Sequence, residues 1–422
     1  MIFRKNKVKR SLARKISNGV VTFFVAIFIL FLIFIAFSQT STFREMLRNE
    51  IIEIASGSIN GNLEIDGVEG TIITQLRLKG VKLANESETI FSAKKIEVAI
   101  NPFYILAKRL KVTKLSISDA NFALLEDKNN SWNISNFIKK DSVQNTVAKD
   151  STLTNSSSKE FPFLIDVSNF SLTNISFIMK RNSFVGTHNK YDTFNYDDIE
   201  ISNLDLELDL LADINKNDFS IDITNLSLIP NLNKFKLQNF SGEIRVTEKF
   251  AELSNVTILT DSSMLHLDAR LDKINLFGDV QLIKFGDYPI KFNLLAKPIL
   301  ASDLSSFIEP LSFMRGHPEL SISGNGTFGN FDFNAKLGLM NTKLNLNGNL
   351  AKLNTPSELY IKASFTDSDI SYNEVDNFLA GLDLPKYPDL FVNNINLDYE
   401  GEPLKFSANG SGTIEDGSFS IN

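Results

Sequence analysis

The sequence predicts a mostly β protein that opens with a transmembrane helix and holds only a few short helices. Residues 20–37 are an apolar run interrupted by one polar residue, Thr22. From about residue 60 onward, apolar and polar side chains alternate with a period of two, which is typical of strands with one apolar face. Helical periodicity is confined to short stretches, so the body is predicted to consist of antiparallel strands joined by turns.

The apolar run has the length of a membrane-spanning helix. At 1.5 Å per residue, 18 residues span roughly 27 Å, close to the ~30 Å hydrocarbon core of a bilayer. Residues 1–18 carry seven basic side chains and no acid, which predicts a cytoplasmic amino terminus and an exported body. A cleaved signal peptide is the competing interpretation, but its apolar region is normally shorter.

Composition excludes several classes of function. The 422 residues have a net charge of −7, and with the basic start removed the remainder has a net charge of −14. This acidic balance argues against a surface that binds nucleic acid. The chain has no cysteine and three widely separated histidines, so we expect no metal site and no cofactor. Motifs of hydrolases and nucleotide-binding enzymes are missing, and we expect the protein not to be an enzyme.

A short amphipathic helix is predicted after the apolar run. Thr42 and Glu45 have the spacing of a capping box, and Gly57 ends the segment. Its apolar stripe consists of Phe43, Met46, Leu47, Ile51 and Ile54. This stalk helix either packs on the following strands or lies along the membrane interface.

Alternating leucines mark the predicted apolar face. The candidates lie in three runs: Leu204, Leu206, Leu208, Leu265, Leu267, Leu344 and Leu346. Asp205 and Glu207, between the first of these leucines, are predicted to lie on a solvated outer face. The residues leave two arrangements open, because the leucines could form the core of a closed β-sandwich or line a trough on an open sheet.

Asn, Asp, Gly and Ser interrupt the alternation and predict hairpin turns between about 24 strands. The strongest turn candidates are Asn60-Gly61, Asp66-Gly67, Asn347-Gly348, Asn409-Gly410 and Asp416-Gly417. Asn101 followed by Pro102 predicts a capped helical turn that leads into Phe103, Ile105 and Leu106. Residues 141–160 are polar and aperiodic, and they predict a flexible loop.

The segment from the apolar run to about residue 140 resembles the amino-terminal part of AsmA-like and TamB-like envelope proteins. The resemblance is carried by the basic start, the single helix and four strings in order: GVEGTIITQLRLKGVKL at 67–83, AKKIEVAINPFYIL at 93–106, RLKVTKLSISDANFALL at 109–125 and WNISNFI at 132–138. The later strings LSISGNGTFGNFDFNAKL at 320–337 and GSGTIEDGSFSI at 410–421 resemble these proteins less specifically.

The resemblance implies a β-groove, that is, an elongated antiparallel sheet curled along its length, tethered to the inner membrane and extending into the periplasm. The expected segments are a basic cytoplasmic terminus (1–19), a transmembrane helix (20–37), a stalk helix (38–57), a first β module (58–140), a polar loop (141–160) and a repeating β-groove region (161–422). The chain stops inside a strand pattern, so it is expected to be a fragment or a short AsmA-like member.

The same resemblance implies a function. Phospholipid acyl chains would contact the groove and pass between the inner and outer membranes, which supports outer-membrane biogenesis. The alternative is a non-enzymatic β scaffold that assists outer-membrane protein assembly by binding a barrel partner, as the longer TamB-like proteins do.

Overall fold

The computed structural model describes residues 29, 33, 36–71, 75–85, 88–136, 163–181, 190–277, 286–387, 390–414 and 417–421. Its described part is mostly β, with 18 strands and few helices. The strands are β1 (Asn62–Thr71), β2 (Gln75–Ala84), β3 (Thr89–Asn101), β4 (Arg109–Leu125), β5 (Leu164–Lys180), β6 (Asp198–Asp213), β7 (Asp218–Pro230), β8 (Leu237–Val246), β9 (Phe250–Thr260), β10 (Met264–Asp272), β11 (Ile290–Ala296), β12 (Glu319–Thr327), β13 (Asn330–Gly338), β14 (Lys343–Ala351), β15 (Tyr360–Ser371), β16 (Phe391–Glu402), β17 (Lys405–Ile414) and β18 (Gly417–Ile421).

The described ranges contain few helical elements, and all but the first α-helix are short. The α-helices are α1 (Ser41–Ser58), α2 (Ala301–Ser305) and α3 (Tyr372–Phe378). The 3-10 turns are Pro102–Ala107, Asn133–Asn136, Ile214–Lys216, Glu309–Leu311, Pro356–Glu358 and Ala380–Leu382. The predicted transmembrane helix falls almost entirely outside the described residues, as do the basic terminus and the polar loop 141–160. Among the helices that are described, none has the length and apolar character needed to cross a membrane.

All 18 strands form one open sheet in chain order. Each strand pairs with the one before it and the one after it, and β1 and β18 are the outer strands. The described residues form 18 strands, fewer than the 24 expected, because turns and short helices take up more residues between strands than the alternation suggested. At about 4.8 Å per strand, the sheet is roughly 80 Å long.

The prediction of uniformly antiparallel strands is wrong at one place. β4 and β5 are parallel, with Arg109 beside Leu164 and Leu125 beside Lys180. Parallel neighbours need a connection long enough to carry the chain back to the edge where the first strand began. Residues 126–163, which include the polar loop, are this connection, and the sheet continues across it.

Helix α1 packs on the start of the sheet. Leu47, Ile51 and Ile52 contact a buried cluster formed by Ile65, Val68 and Val81. The stalk helix therefore packs on β1 and β2 through the side that carries these three residues. Phe43 of the predicted stripe is also buried, whereas Met46 and Ile54 are exposed.

The predicted capping box of Thr42 and Glu45 is wrong, because the helix begins two residues earlier. Thr40, and not Thr42, is the N-cap of α1, and its side chain accepts a hydrogen bond from the Phe43 N–H at 3.2 Å. The prediction for Asn101 is confirmed, since its side chain accepts from the Phe103 N–H at 3.2 Å and Pro102 begins the turn.

Many of the Asn and Asp residues that were expected to end strands lie inside them, at β-bulges. Asn169, Asn174, Asn203, Asn255 and Asn394 all have a backbone φ between 48° and 56°, in the left-handed region. The pairing register shifts beside them. A bulge adds one residue to a strand, so the alternation resumes with its apolar side chains on the same face as before.

At three of these bulges the extra N–H is satisfied by an acidic side chain of the next strand, and at Asn394 by Asp369 of the preceding strand. Asn174 donates to Asp205 Oδ1 at 2.8 Å, and Asn169 donates to Asp209 Oδ1 at 2.7 Å. Asn255 bonds Asp268 in the same way. Asp205 is therefore half-buried and has a structural role, whereas it was predicted to be only solvated. Glu207 is exposed, as expected.

Three of the predicted turns are also strand interiors: Asp66-Gly67, Asn347-Gly348 and Asn409-Gly410. At Gly348 the backbone passes so close to β15 that a Cβ would lie 2.3 Å from the Lys362 carbonyl oxygen. Gly348 also lies beside Phe333 in the register of β13 and β14. Glycine here makes room for a close approach between strands and does not form a turn.

We expect Asp205→Ala to lower the free energy of unfolding by about 1 kcal/mol, because the bulged N–H of Asn174 loses its acceptor. Glu207→Ala, two residues along the same strand and exposed, is the matched control and should have a smaller effect. Urea unfolding followed by circular dichroism measures both variants. Equal effects would show that the carboxylate of Asp205 does not support the bulge.

Candidate functional site: the apolar face of the sheet

One face of the sheet is apolar across neighbouring strands. Residues that pair across two strands lie on the same face, so the register shows which side chains are adjacent. In the parallel pair, Leu115 lies beside Phe170 and Ile117 beside Leu172. The same face continues at the other end of the sheet, where Phe365 of β15 lies beside Leu397 of β16.

The seven predicted leucines all lie on this apolar face. In β6, Leu204, Leu206 and Leu208 pair with Ile175, Leu172 and Phe170. In β10, Leu265 and Leu267 pair with Ile258 and Val256 of β9. In β14, Leu344 and Leu346 pair with Leu337 and Ala335 of β13. Leucines more than 130 residues apart in sequence therefore lie on one surface, which successive strands make continuous.

The apolar face is only partly covered. All seven leucines are half-buried. Fully buried side chains of this face include Ile175, Ile223 and Val256, and those at its β1 end lie under α1. In a closed β-sandwich, the facing side chains of two sheets would cover each other completely. Side chains on neighbouring strands of one sheet cover a leucine only from the sides and leave it half-buried. Around the seven leucines the face therefore remains partly exposed, whereas α1 covers its β1–β2 end.

Phenylalanines contribute to the same face and were not singled out from the sequence. Phe122 and Phe177 stack with ring centroids 5.8 Å apart, and Phe292 and Phe331 stack at 6.0 Å. Phe331 and Phe333 follow the same alternation as the leucines, and this spacing was the signal that could have identified them. Aromatic stacking adds a favourable contribution beyond the buried area.

The opposite face carries charged side chains in paired networks. Glu97 of β3 is buried and bonds Lys114 at 2.7 Å and Arg77 at 2.8 Å. Asp166 of β5 bonds Arg109 and Lys111. The chain is thus an amphipathic sheet, with ion pairs on one face and aliphatic and aromatic side chains on the other.

These networks shift the pKa values of the carboxylates. The hydrogen bond from Lys114, assisted by the one from Arg77, lowers the pKa of Glu97 to about 2 against the opposing effect of burial. Lys180 is also buried and lies 2.9 Å from Asp198. Burial opposes its charge, but the hydrogen bonds that it donates to Glu200 and Asp198 outweigh this effect and raise the pKa of Lys180. The charged forms of these groups stabilise the fold.

A family model described as AsmA family matches residues 14–240. This match covers more than half of the chain. The chain belongs to the AsmA family. No curated protein and no solved structure matches it significantly. The AsmA match ends within β8, and β9 to β18 continue the same sheet and the same apolar face beyond it.

We expect this AsmA-family protein to lose stability in acid partly through Glu97. The folded-state pKa of about 2 lies below the usual value of 4.5, so the stabilisation is complete above pH 4.5 and is lost as the pH falls toward 2. Glu97→Gln should therefore be less stable at pH 7, and its urea midpoint should change less between pH 4.5 and pH 2.5.

Glu207→Gln, on an exposed side chain of β6, is the control and should follow the unsubstituted protein across this range. If Glu97→Gln and the unsubstituted protein showed the same pH dependence of the urea midpoint, the Glu97 network would not stabilise the fold through charge.

Proposed function

We propose that this AsmA-family chain conducts phospholipid between the inner and outer membranes along the apolar face of its sheet and so supports outer-membrane biogenesis. Residues 20–37 anchor it in the inner membrane with residues 1–19 in the cytoplasm and the sheet in the periplasm. The sheet curls along its length into a groove, and the mid-strand bulges favour this curl because each one bends its strand and increases the local twist. No catalytic step and no cofactor are part of the proposal.

The observation that carries the proposal is the continuity of the apolar face over neighbouring strands. Moving an acyl chain of about 16 carbons into water costs roughly 13 kcal/mol, at about 0.8 kcal/mol for each methylene. That free energy corresponds to about nine powers of ten in occupancy. A nonpolar surface roughly 80 Å long removes most of this cost while the headgroup stays in water at an open edge.

Photo-crosslinking in intact cells tests the proposal with the full chain. A benzophenone amino acid placed at Leu206, Leu267 or Leu346 should form adducts with phospholipid, because these side chains lie on the apolar face. The matched controls are positions on the opposite face: Glu207, His266 and Asn347. Adducts with one stoichiometric protein and none with lipid at the three leucines would contradict lipid conduction and favour the scaffold that binds a barrel partner.

A charge on the apolar face should interrupt the path. We expect the double variant Leu206→Asp with Leu346→Asp to lose most phospholipid adducts at position 267, which lies between the two substituted strands in the sheet order. Thr224→Asp with Asn347→Asp adds the same charge away from these leucines and is the control. An unchanged adduct yield in a folded double leucine variant would show that these positions do not contact lipid.

The two leucines should not be equivalent. β6 carries seven apolar residues on this face, whereas β14 carries only three leucines there. We therefore expect the single substitution Leu346→Asp to reduce adducts at position 267 more than Leu206→Asp does. The reason is that β14 contributes fewer apolar residues to the face, so less apolar surface remains around the charge. Equal reductions in adduct yield in the two variants would show that the number of apolar residues in a strand does not limit conduction.

A further inference from the structure

The turn Pro102–Ala107 between β3 and β4 exposes four consecutive large apolar side chains. Phe103 is 72% exposed and Leu106 is 91% exposed, and Tyr104 and Ile105 between them are also exposed. No other run of large apolar residues in the described ranges is both this long and this exposed. A contiguous exposed apolar run on a folded protein marks a contact surface.

The turn is held in one conformation although it buries nothing. The Asn101 side chain caps its start, and Pro102 fixes the first residue. Lys108 closes the end in the left-handed conformation, with its N–H donating to the Ile105 carbonyl at 3.0 Å. The Arg109 guanidinium lies 5.9 Å from the Tyr104 ring. The exposed side chains are therefore presented by a defined structure.

The turn lies at the same edge of the sheet as the beginning of α1. Only three residues, Ile59 to Gly61, join α1 to β1, and α1 packs on the β1–β2 cluster, so the helix runs back along β1. Its amino-terminal end thus points to the edge where β1 ends at Thr71. The register of β2 and β3 places Asn101 and the turn at that edge too.

The charge around the turn is entirely basic in sequence. Residues 98–118 contain four basic side chains, Lys108, Arg109, Lys111 and Lys114, and no acidic one. In the fold, Lys114 pairs with Glu97 while Arg109 and Lys111 pair with Asp166. Lys108 directly follows the apolar turn and is exposed. Apolar side chains bordered by cations have the chemistry of a segment that lies at an anionic lipid interface.

We propose that the turn Pro102–Ala107, which we call the apolar tip, inserts into the headgroup region of the anionic leaflet from which residues 20–37 emerge. The tip and the anchor then hold one edge of the sheet against the membrane at two points, which fixes the orientation of the first strands. The position of the tip at the membrane rests on the anchoring that is part of the proposed function, but it does not depend on lipid conduction.

Fluorescence of the full chain in proteoliposomes tests the proposal. The sequence has no cysteine, so Leu106→Cys provides a unique site for an environment-sensitive dye. In vesicles of phosphatidylcholine with phosphatidylglycerol, we expect a blue-shifted emission at position 106 that spin-labelled lipid quenches. Leu404→Cys is the matched control, because Leu404 is 97% exposed and lies in the β16–β17 turn at the same edge, roughly 60 Å along the sheet.

A third dye position separates this proposal from the proposed anchor. Ile29→Cys reports whether residues 20–37 are in the bilayer. If spin-labelled lipid quenches the dye at position 29 but the emission at 106 is no more blue-shifted than at 404, the apolar tip is wrong and the anchor is supported. Quenching at 106 without quenching at 29 would overturn the anchor and, with it, the proposal that the tip inserts beside the point where residues 20–37 emerge.

The composition of the vesicle tests the contribution of charge. Quenching at position 106 should fall when phosphatidylglycerol is omitted, and equal quenching in neutral vesicles would overturn the proposed preference for an anionic surface. If the dye at 106 is protected from aqueous iodide but not quenched by spin-labelled lipid, protein and not lipid covers the tip, and the membrane proposal is wrong.

Discussion

Every strand of this protein must present its apolar side chains on the same face as both of its neighbours. A shift of one residue in any strand would turn its whole apolar set to the other side. The chain meets this constraint over strands of up to 17 residues by resetting the alternation at bulges. Asn174 and Asn203 are such points, and the Asp205 carboxylate holds the first of them in place.

The resulting sheet carries charged and polar side chains on one face and apolar side chains on the other. Carboxylates between the apolar positions satisfy bulged backbone groups or join ion networks such as the one around Glu97. These contacts stabilise the strands from the polar face, and within the described residues α1 covers the apolar face only at its β1–β2 end. The leucines and phenylalanines can then remain half-buried in the folded chain, and a nonpolar ligand gains free energy by covering them.

The sequence predicted the mostly β architecture and the common face of the seven leucines because both depend on a local period of two. It also predicted the capped turn at Asn101, which depends on adjacent residues. The parallel pairing of β4 with β5 could not be predicted, because it depends on which edge the chain returns to after a long polar connection. Asn347-Gly348 was interpreted as a turn because its composition is the same whether the backbone reverses or passes close to a neighbouring strand.

The alternation alone also could not decide between a closed core and an open face, since both need the same leucines in the same register. The deciding quantity is how much of each leucine is covered, and that depends on whether another layer is present. Leu206 and Leu346 are half-buried although each has apolar partners on both neighbouring strands. Full lateral pairing with incomplete burial means that the uncovered area faces away from the sheet. That area is repeated from strand to strand, so the proposed contact with a nonpolar chain depends on the sheet as a whole and not on any single residue.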